Sequence, residues 1–401
     1  MSEPWSDGRK IGVLLSGGLS SLALAAWLHG RGHPVEAFAA DLGQARPVEF
    51  ARFTGAVRAV GIPVHEVDLR RPMARAALET VAYQAGYDGG HWNTTGLSRA
   101  VLVEGLVPAL RKEGCGVLLT GCVSGGADQR RFERYGRHFA PDLAVVAGWA
   151  DPAVLAALPT RDAMARYTRR ANLPCLPGNT ARHSTDGNLA GVSHEDAGLE
   201  DLSRPAGAVA RHLGVPPQHA PDETRSVLIG IAVGRPVSLD AATMEPEDLL
   251  GAANDIAGAH GLGLTDVVEN RANGTKCRGV YEAPGLELFG HAVRAAYQAT
   301  TDRTVAEIAA FLSARLAASV YEGDAYGTAA EAARAGLARI AENVTATVRL
   351  DLYKGGVAGR ALLDFDRRSG LTQQRRFGGG GHTWNCAPIS VRAAAPGVDR
   401  A

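Results

Sequence analysis

The N-terminal part of the chain alternates between two kinds of hydrophobic pattern. The run Ile11–Leu15 is continuously apolar, which is typical of a strand that is buried on both faces. Leu19–His29 then carries apolar residues at helical spacing, and Val35–Ala40 is a second continuously apolar run. These patterns predict one βαβ unit with a short first turn.

The same alternation continues along the chain, with a polar, glycine-rich segment at Gly86–Arg99 that is predicted to be a loop leading into a helix ending near Lys112. Strands are predicted at Val64–Val67, Gly116–Thr120 and Thr345–Lys354, and helices at Pro72–Tyr83, Val305–Ala317 and Thr328–Ala341. Strands that alternate with helices predict an α/β fold with a parallel, doubly wound sheet. Ligands of such sheets bind at the carboxyl ends of the strands.

The turn after the first strand is rich in glycine and serine. Glycines let backbone N–H groups approach an anion, and the positive end of the following helix faces it. The segment contains Ser16, Gly17, Gly18, Ser20 and Ser21, and it predicts a binding site for a phosphate chain. It matches neither the P-loop nor the dinucleotide fingerprint. A tight strand–helix turn that needs glycine for structural reasons alone is the other interpretation.

Length and composition indicate more than one domain. The chain has 401 residues, 46% of them hydrophobic, which is more than one ordinary core requires. The pattern loosens and prolines recur around 150–177, so we predict a first domain at 1–165, a second domain at 166–360 and a tail at 361–401. The tail contains Gly378–Gly381 followed by His382, interpreted as a flexible link, with a second anion-binding loop as the alternative.

Charge and cysteine content exclude several classes of protein. The formal net charge is zero, which gives no reason to expect nucleic acid or a membrane surface as a partner. We find no eighteen-residue apolar run and no signal peptide. The cysteines are odd in number and scattered, and the twelve histidines form no metal-binding motif, so we expect reduced thiols, no transition-metal site and a cytoplasmic location. The cysteines are Cys115, Cys122, Cys175, Cys277 and Cys386.

Four separated segments resemble the argininosuccinate synthase family, in the order in which that family has them. SGGL is followed by AFAADLGQ, and Gly121–Glu133 reads GCVSGGADQRRFE. Ala181–Glu200 reads ARHSTDGNLAGVSHEDAGLE, and Leu264–Gly285 reads LTDVVENRANGTKCRGVYEAPG. Considered alone, the DQRR run could be a solvated turn, but four ordered matches argue against coincidence. The resemblance covers roughly 10–350 and implies the fold of the N-type ATP pyrophosphatases, a HUP-type nucleotide-binding domain joined to an α+β synthetase domain.

The resemblance also implies a reaction in two steps, with ATP and Mg²⁺. The ureido oxygen of citrulline attacks the α-phosphorus of ATP and expels pyrophosphate, and an amine, that of aspartate in the family, then displaces AMP to give a guanidine. Such chemistry depends on aligning the ligands and stabilising phosphate charge. The expected partners are therefore a ureido amino acid and an amine. The family forms homotetramers, and this chain's different tail leaves its oligomer size open.

The family's functional positions transfer to this chain residue by residue. Asp128, which faces the amine, and Arg131, whose guanidinium suits a carboxylate, are the expected catalytic residues. ATP is expected at Ser16, Gly17, Gly18, Ser20, Ser21, Ala40, Gly121 and Gly125. The substrates are expected at Tyr87, Thr95, Val123, Ala127, Asp128, Arg131, Ser184, Ser193, Glu269 and Tyr281. Metal is expected only as Mg²⁺ that accompanies ATP.

Several positions depart from the family pattern. Ser20 stands where the family has aspartate, and Gly96 where it has serine. Val123 and Ala127 replace the threonine and asparagine that receive the aspartate carboxylates. Two lost hydrogen bonds to a charged group are worth about 3–6 kcal/mol. The sequence therefore favours an AMP-forming ligase whose amine is not aspartate. An ordinary argininosuccinate synthase and a non-catalytic, ligand-binding relative are the alternatives.

Overall fold

The computed structural model describes residues 8–44, 47–122, 126–173, 183–206, 209–271 and 273–365, without the side chains at 47–49, 183–184 and 195–197. Its first unit is a parallel five-stranded sheet in the order β3-β2-β1-β4-β5. The strands are β1 (Lys10–Leu15), β2 (Val35–Asp41), β3 (Val64–Asp68), β4 (Cys115–Thr120) and β5 (Ala144–Ala147). The helices are α1 (Leu19–Gly30), α2 (Pro47–Ala59), α3 (Arg70–Ala82), α4 (Thr94–Lys112), α5 (Ala127–Phe139), α6 (Pro152–Ala157) and α7 (Arg161–Arg170).

Helices cover both faces of this sheet, as the continuous apolar runs predict. Ile11, Val13 and Leu15 of β1 join the core that contains α1. Leu14 points to the opposite face and belongs to the core that contains α3 and α4. Successive side chains of a strand point to opposite faces. A strand that is covered on both sides therefore buries every side chain, and its sequence is continuously apolar. The predicted doubly wound α/β sheet is confirmed.

Two antiparallel sheets follow. One has the order β10-β9-β8-β13-β14 and the other β11-β12-β7-β6. Their strands are β6 (His183–Asn188), β7 (Gly191–Asp196), β8 (Arg225–Ala232), β9 (Arg235–Leu239), β10 (Ala242–Thr243), β11 (Leu264–Asn270), β12 (Lys276–Glu282), β13 (Ala346–Tyr353) and β14 (Gly356–Phe365). The helices are α8 (Pro246–Ala259), α9 (Pro284–Thr300), α10 (Arg303–Glu322) and α11 (Thr328–Ala341). The expected α+β character of the second half is confirmed.

Helix α10 is long and apolar enough to meet the composition criterion for a membrane span, which the sequence analysis did not anticipate. One third of that stretch is buried in the fold. Its Ser313 donates to the carbonyl of Tyr83 at 2.6 Å. The helix therefore packs as a core helix over part of its circumference.

Three boundaries differ from the sequence-based expectation. Helix α4 begins at Thr94, inside the predicted loop, because the Asn93 side chain caps it by accepting a hydrogen bond from the N–H of Gly96 at 3.2 Å. Helix α5 begins at Ala127, so the DQRRFE run is helical and not part of the glycine loop. The predicted tail begins within β14, and everything after residue 365, including 378–382, lies outside the described residues.

Candidate active site

The first glycine loop connects β1 to α1 and is held by its own serine hydroxyls. Ser21 Oγ donates to the carbonyl oxygen of Gly18 at 3.1 Å and accepts from the N–H of Ser16 at 3.3 Å. Gly17 is buried in the turn, and Ser20 lies half-buried in the first turn of α1. Gly18 caps this helix without a side-chain hydrogen bond. The backbone amides of the first turn are therefore available to an anion.

The second glycine loop lies directly against the first. A Cβ placed on Gly121 would stand 3.0 Å from the backbone nitrogen of Ser21. Glycine suits this approach, because a Cβ there would push the neighbouring backbone atoms away by a few tenths of an ångström. The adjacency of β1 and β4 in the sheet brings the two loops together. Val123 and Gly125 lie outside the described residues.

The DLGQ segment forms a closed turn at the carboxyl end of β2. Gln44 Nε2 donates to the carbonyl of Ala40 at 3.1 Å, and Gln44 Oε1 accepts from the N–H of Leu42 at 3.0 Å. The carbonyl of Leu42 accepts from the N–H of Leu189, in the turn between β6 and β7, at 2.8 Å. The motif therefore connects the nucleotide-binding sheet to the strand pair of the second unit.

Asp128, in the first turn of α5, lies between two arginines. Its Oδ2 accepts from Arg99 at 2.7 Å and its Oδ1 accepts from Arg131 at 2.8 Å. Burial raises the pKa of this carboxyl, but the two guanidinium groups outweigh burial and bring the pKa to about 2. Arg99 also donates to the carboxylate of Asp186 on β6. Asp128 is therefore a permanent anion that is already paired.

Glu269 of β11 is 4% exposed and receives hydrogen bonds at both oxygens. Tyr281 donates to Oε2 at 2.7 Å, and Tyr321 donates to Oε1 at 2.8 Å. His91 Nε2 lies 2.9 Å from Oε2. Burial raises the pKa of Glu269, and the contacts with His91 and the two tyrosines outweigh it and lower the pKa to about 2. Burial beside this carboxylate raises the pKa of both tyrosines, so they remain neutral donors.

Aromatic rings hold this cluster in place. Tyr87 stacks on Tyr321 with ring centroids 4.0 Å apart, and His91 stacks on Tyr281 at 4.2 Å. The N–H of Asn93 donates to His91 Nδ1 at 3.1 Å. Nδ1 therefore acts as a hydrogen-bond acceptor, and Nε2 is the ring nitrogen that faces Glu269.

Hydroxyl groups from two elements meet beside the cluster. Thr95 Oγ1 and Ser193 Oγ are 3.1 Å apart, which joins the start of α4 to β7. Ser184 lies on β6, and its side chain is outside the described part of the structure. At Gly96 a Cβ would stand 2.6 Å from Asn93 Oδ1. The serine that the family has there is incompatible with this helix cap.

The predicted substrate residues fall into two layers. Half-buried side chains, which a ligand can reach, are those of Tyr87, Thr95, Ala127, Asp128 and Tyr281. Arg131, Ser193 and Glu269 are buried, at 6%, 7% and 4% exposure. The buried groups fix the orientation of the reachable ones, as when Glu269 fixes the hydroxyl of Tyr281. The arrangement suits a polar ligand that is held by hydroxyl groups, which buried carboxylates keep in position.

Four residues of this arrangement were missed by the sequence analysis. Arg99 and Asp186 pair with each other beside Asp128, while His91 and Tyr321 contact Glu269. Arg99 and His91 fall in the glycine-rich segment that was predicted as a loop, and that segment was the only available signal. Tyr321 lies beyond the predicted end of its helix, and no local pattern distinguishes it.

A second charged cluster lies at the amino ends of the strands, away from the glycine loops. Ligand-capable atoms of Glu36, His65 and Glu113 lie within 4.8 Å of one another, which the sequence analysis did not anticipate. Lys10 Nζ donates to Glu36 at 2.9 Å, and His65 Nε2 is 2.5 Å from the same carboxylate. Because Glu36 is engaged by these two partners, we interpret the cluster as an ion-pair network across the sheet.

Comparison with known proteins identifies the family. The profile described as "Arginosuccinate synthase N-terminal HUP domain" matches residues 10–174, and "Arginosuccinate synthase C-terminal domain" matches residues 183–362. The chain is 35% identical over 356 residues to the argininosuccinate synthase of Syntrophus aciditrophicus, with 88% of each chain covered. It is 33% identical over 363 residues to that of Erythrobacter litoralis, again with 88% of each chain covered.

Among solved structures, a U34-tRNA thiolase from Methanococcus maripaludis aligns at 13% identity with a TM-score of 0.29. The alignment covers 42% of this chain and 59% of that chain. That likeness is too slight to support an argument. The two profiles and the curated relatives are sufficient, and they agree with the geometry of the two glycine loops. The chain belongs to the argininosuccinate synthase family and is an ATP-dependent C–N ligase.

Proposed function

We propose that the protein adenylates the ureido group of citrulline or a related ureido acid and then transfers it to an amine that is less acidic than aspartate. In the first step the ureido oxygen forms a bond to the α-phosphorus of ATP, and the bond to pyrophosphate breaks. In the second step the amine nitrogen bonds to the ureido carbon, and AMP leaves as the amine loses a proton. The product is a guanidine.

The residues of the first loop fit a triphosphate. The uncapped first turn of α1 offers backbone N–H groups, and the half-buried hydroxyl of Ser20 adds a donor beside them. Ser20 replaces the family's carboxylate, so this loop offers Mg²⁺ a hydroxyl in place of a charged ligand. We propose that Mg²⁺ enters with ATP and is held mainly by phosphate oxygens and water, which suits its preference for retaining several waters.

The ureido acid is proposed to lie against Tyr87, Thr95 and Tyr281. These side chains are half-buried and converge from the loop before α4, from α4 itself and from β12. Tyr281 is oriented by Glu269, and Thr95 by Ser193. Because these side chains are already oriented before the ligand binds, the entropic cost of aligning the ureido oxygen with the α-phosphorus is lower.

The amine preference rests on one observation: both arginines at Asp128 are already paired with carboxylates of the chain. Arg99 donates to Asp128 and Asp186, and Arg131 donates to Asp128 and to the carbonyl of Tyr321. A second carboxylate brought in by aspartate would compete with these pairs. It would also lack the threonine and asparagine that Val123 and Ala127 replace. A neutral or cationic amine avoids both costs.

An ordinary argininosuccinate synthase is the second candidate. It is favoured by the curated relatives, which carry that name at 31–35% identity. Both candidate functions assign Asp128 and Arg131 the same roles. The two differ only in whether aspartate is accepted as the amine.

The deciding experiment is pyrophosphate release from Mg-ATP and citrulline, with and without aspartate, with products identified by mass. We expect release with citrulline and little argininosuccinate when aspartate is added. Rapid formation of argininosuccinate would establish the second candidate instead. No release with any ureido acid tested would refute the first step of the proposal.

A double variant sharpens this test. Val123→Thr with Ala127→Asn restores the residues that the family uses for aspartate. We expect the variant to use aspartate at least tenfold better than the wild type, while pyrophosphate release with citrulline alone is unchanged. Ala332→Asn, an exposed position on α11, is the matched control. Equal use of aspartate by all three proteins would show that these positions do not select the amine.

The proposal includes a cytoplasmic homo-oligomer, as in the family. Light scattering of the purified full-length chain measures its mass directly, and a monomer at micromolar concentration would refute the oligomer. The neutral charge of the chain gives no basis for a nucleic-acid partner.

A further inference from the structure

A cavity of about 720 Å³ opens outside the candidate active site. It is bordered by α3, by the hairpin of β9 and β10 and by the start of α8. Tyr326, just before α11, and Arg334, within α11, complete the border. None of the side chains that border it is a predicted substrate or ATP residue. Its volume falls in the range of small-molecule sites, about 300–1,000 Å³.

The charged groups around this cavity are unbalanced. Among the described residues, three arginines border it, Arg75, Arg235 and Arg334, and one carboxylate, that of Glu79. Glu79 pairs with Arg334 at 2.8 Å and with Arg235 at 3.5 Å. Arg75 is exposed, and it forms no ion pair or hydrogen bond with another side chain of the described residues. The cavity therefore presents excess positive charge, including one guanidinium that can take a carboxylate at both nitrogens.

The remaining walls are apolar. They are formed mainly by Leu78, Pro236, Val237, Met244 and Leu249. Val237 is 39% exposed although it borders the cavity. An inorganic anion would leave the accessible parts of these walls, which belong chiefly to Val237 and Met244, in contact with water, whereas an anion with an apolar body would cover them.

The cavity also touches the segment that supports the ureido-acid pocket. Arg334 donates to the carbonyl of Ala325 at 3.2 Å, and Tyr326 borders the cavity directly. Three residues earlier in the chain, a Cβ on Gly323 would stand 2.8 Å from the Cα of Arg131. Arg131 in turn donates to the carbonyl of Tyr321 at 2.8 Å. An occupant of the cavity would therefore contact the chain segment that packs on Arg131.

We propose that this cavity binds an organic carboxylate with an apolar body, and that binding there is coupled to the ureido-acid pocket through residues 321–326. The carboxylate pairs with Arg75, and the apolar body covers Val237 and its neighbours. The binding site stands independently of the reaction. The coupling rests on the proposed function, because it requires a ureido acid in the neighbouring pocket.

The test is calorimetric titration of the full-length protein with 1-naphthaleneacetate. We expect one site per chain, and Arg75→Glu is expected to weaken binding at least tenfold. Arg52→Glu, a charge reversal at an exposed position of helix α2, is the matched control and should bind as the wild type does. Val237→Trp, which fills the cavity, should also weaken binding at least tenfold with little change in melting temperature.

Three results would overturn the site. One is equal binding by the Arg75→Glu and Arg52→Glu proteins. Another is binding of acetate as tightly as naphthaleneacetate, which would show that the apolar walls are not used. The third is binding of uncharged 1-naphthalenemethanol with equal affinity, which would show that the arginines are not used.

The coupling is measured by repeating the naphthaleneacetate titration in the presence of saturating citrulline. Because linkage is reciprocal, a coupled site must change its affinity for naphthaleneacetate when citrulline binds, and we expect at least a threefold change. An unchanged affinity with citrulline bound, as shown by its own titration, overturns the coupling. If neither citrulline nor the related ureido acids bind, the proposed ureido-acid pocket is refuted instead, so the two failures are distinguishable.

Discussion

The hydroxyl of Tyr321 donates a 2.8 Å hydrogen bond to Oε1 of Glu269, although the two residues lie on different elements, α10 and β11. The carboxylate is thereby saturated, since its other oxygen accepts from Tyr281. Glu269 therefore acts on a ligand chiefly through the tyrosines that it orients. This relationship makes the end of α10 part of the substrate site.

Removing the Tyr321 hydroxyl tests that role. Tyr321→Phe is expected to lower the free energy of unfolding by about 1.5–3 kcal/mol, the value of a buried hydrogen bond to a charged group. We also expect a higher KM for citrulline with a smaller effect on kcat, because Glu269, which orients Tyr281, loses the donor at its other oxygen. Urea unfolding and steady-state kinetics measure the two effects. Tyr353→Phe, at an exposed position of β13, should change neither, and equal behaviour of the two variants would contradict the role.

The contact between the glycine loops predicts the effect of a single methyl group. Gly121→Ala places a Cβ 3.0 Å from the backbone nitrogen of Ser21 and must move one loop. Small displacements of binding groups are costly, so we expect the KM for ATP to rise about tenfold. In Gly55→Ala the Cβ meets open space on α2, and ATP kinetics should be unchanged. An unaltered KM for ATP in Gly121→Ala would show that the loops tolerate separation.

Gly96 offers a test of the helix cap. Gly96→Ser restores the residue that the family has, but its Cβ would stand 2.6 Å from Asn93 Oδ1. We expect loss of the cap and a decrease of about 1 kcal/mol in the free energy of unfolding, with no gain in affinity for citrulline. Gly251→Ser, where the added atom meets open space on α8, should not lower stability. A Gly96→Ser protein as stable as the wild type would contradict this account of the cap.

Acid pH tests the pairing of Asp128. Its pKa is lowered from the usual 3.8 to about 2 in the folded state. A carboxyl with a depressed folded-state pKa stabilises the fold above its unfolded pKa, and that contribution is lost as the pH falls from about 4 towards about 2. The stability difference between the wild type and Asp128→Asn should therefore narrow as the pH is lowered from about 5 to about 3.

Urea titrations at each pH measure this difference. Asp364→Asn, at an exposed position on β14, is the control, and its difference from the wild type should be smaller at every pH. A constant difference between the wild type and Asp128→Asn across the range would show that Asp128 has an ordinary pKa.

The sequence was informative where structure depends on neighbouring residues. The apolar run Ile11–Leu15 predicted β1 to within one residue, and Thr328–Ala341 predicted α11 at its observed bounds. It failed at the starts of α4 and α5. There the glycine-rich composition indicated loops, whereas the Asn93 cap starts α4 at Thr94, five residues before the predicted loop ends at Arg99. A helix cap depends on one side chain, and in a polar segment the sequence does not distinguish that residue from its polar neighbours.

By itself the sequence determined the doubly wound sheet, the two glycine loops and the family, because apolar runs and motifs are properties of contiguous residues. The tertiary structure decided which groups pair. His91, Glu269 and Tyr321 meet only because the chain path brings the loop before α4, strand β11 and helix α10 to one place. The pairing of Arg99 with Asp128 and Asp186 has the same origin. A carboxylate's pKa and availability depend on its neighbours in space, which no sequence pattern records.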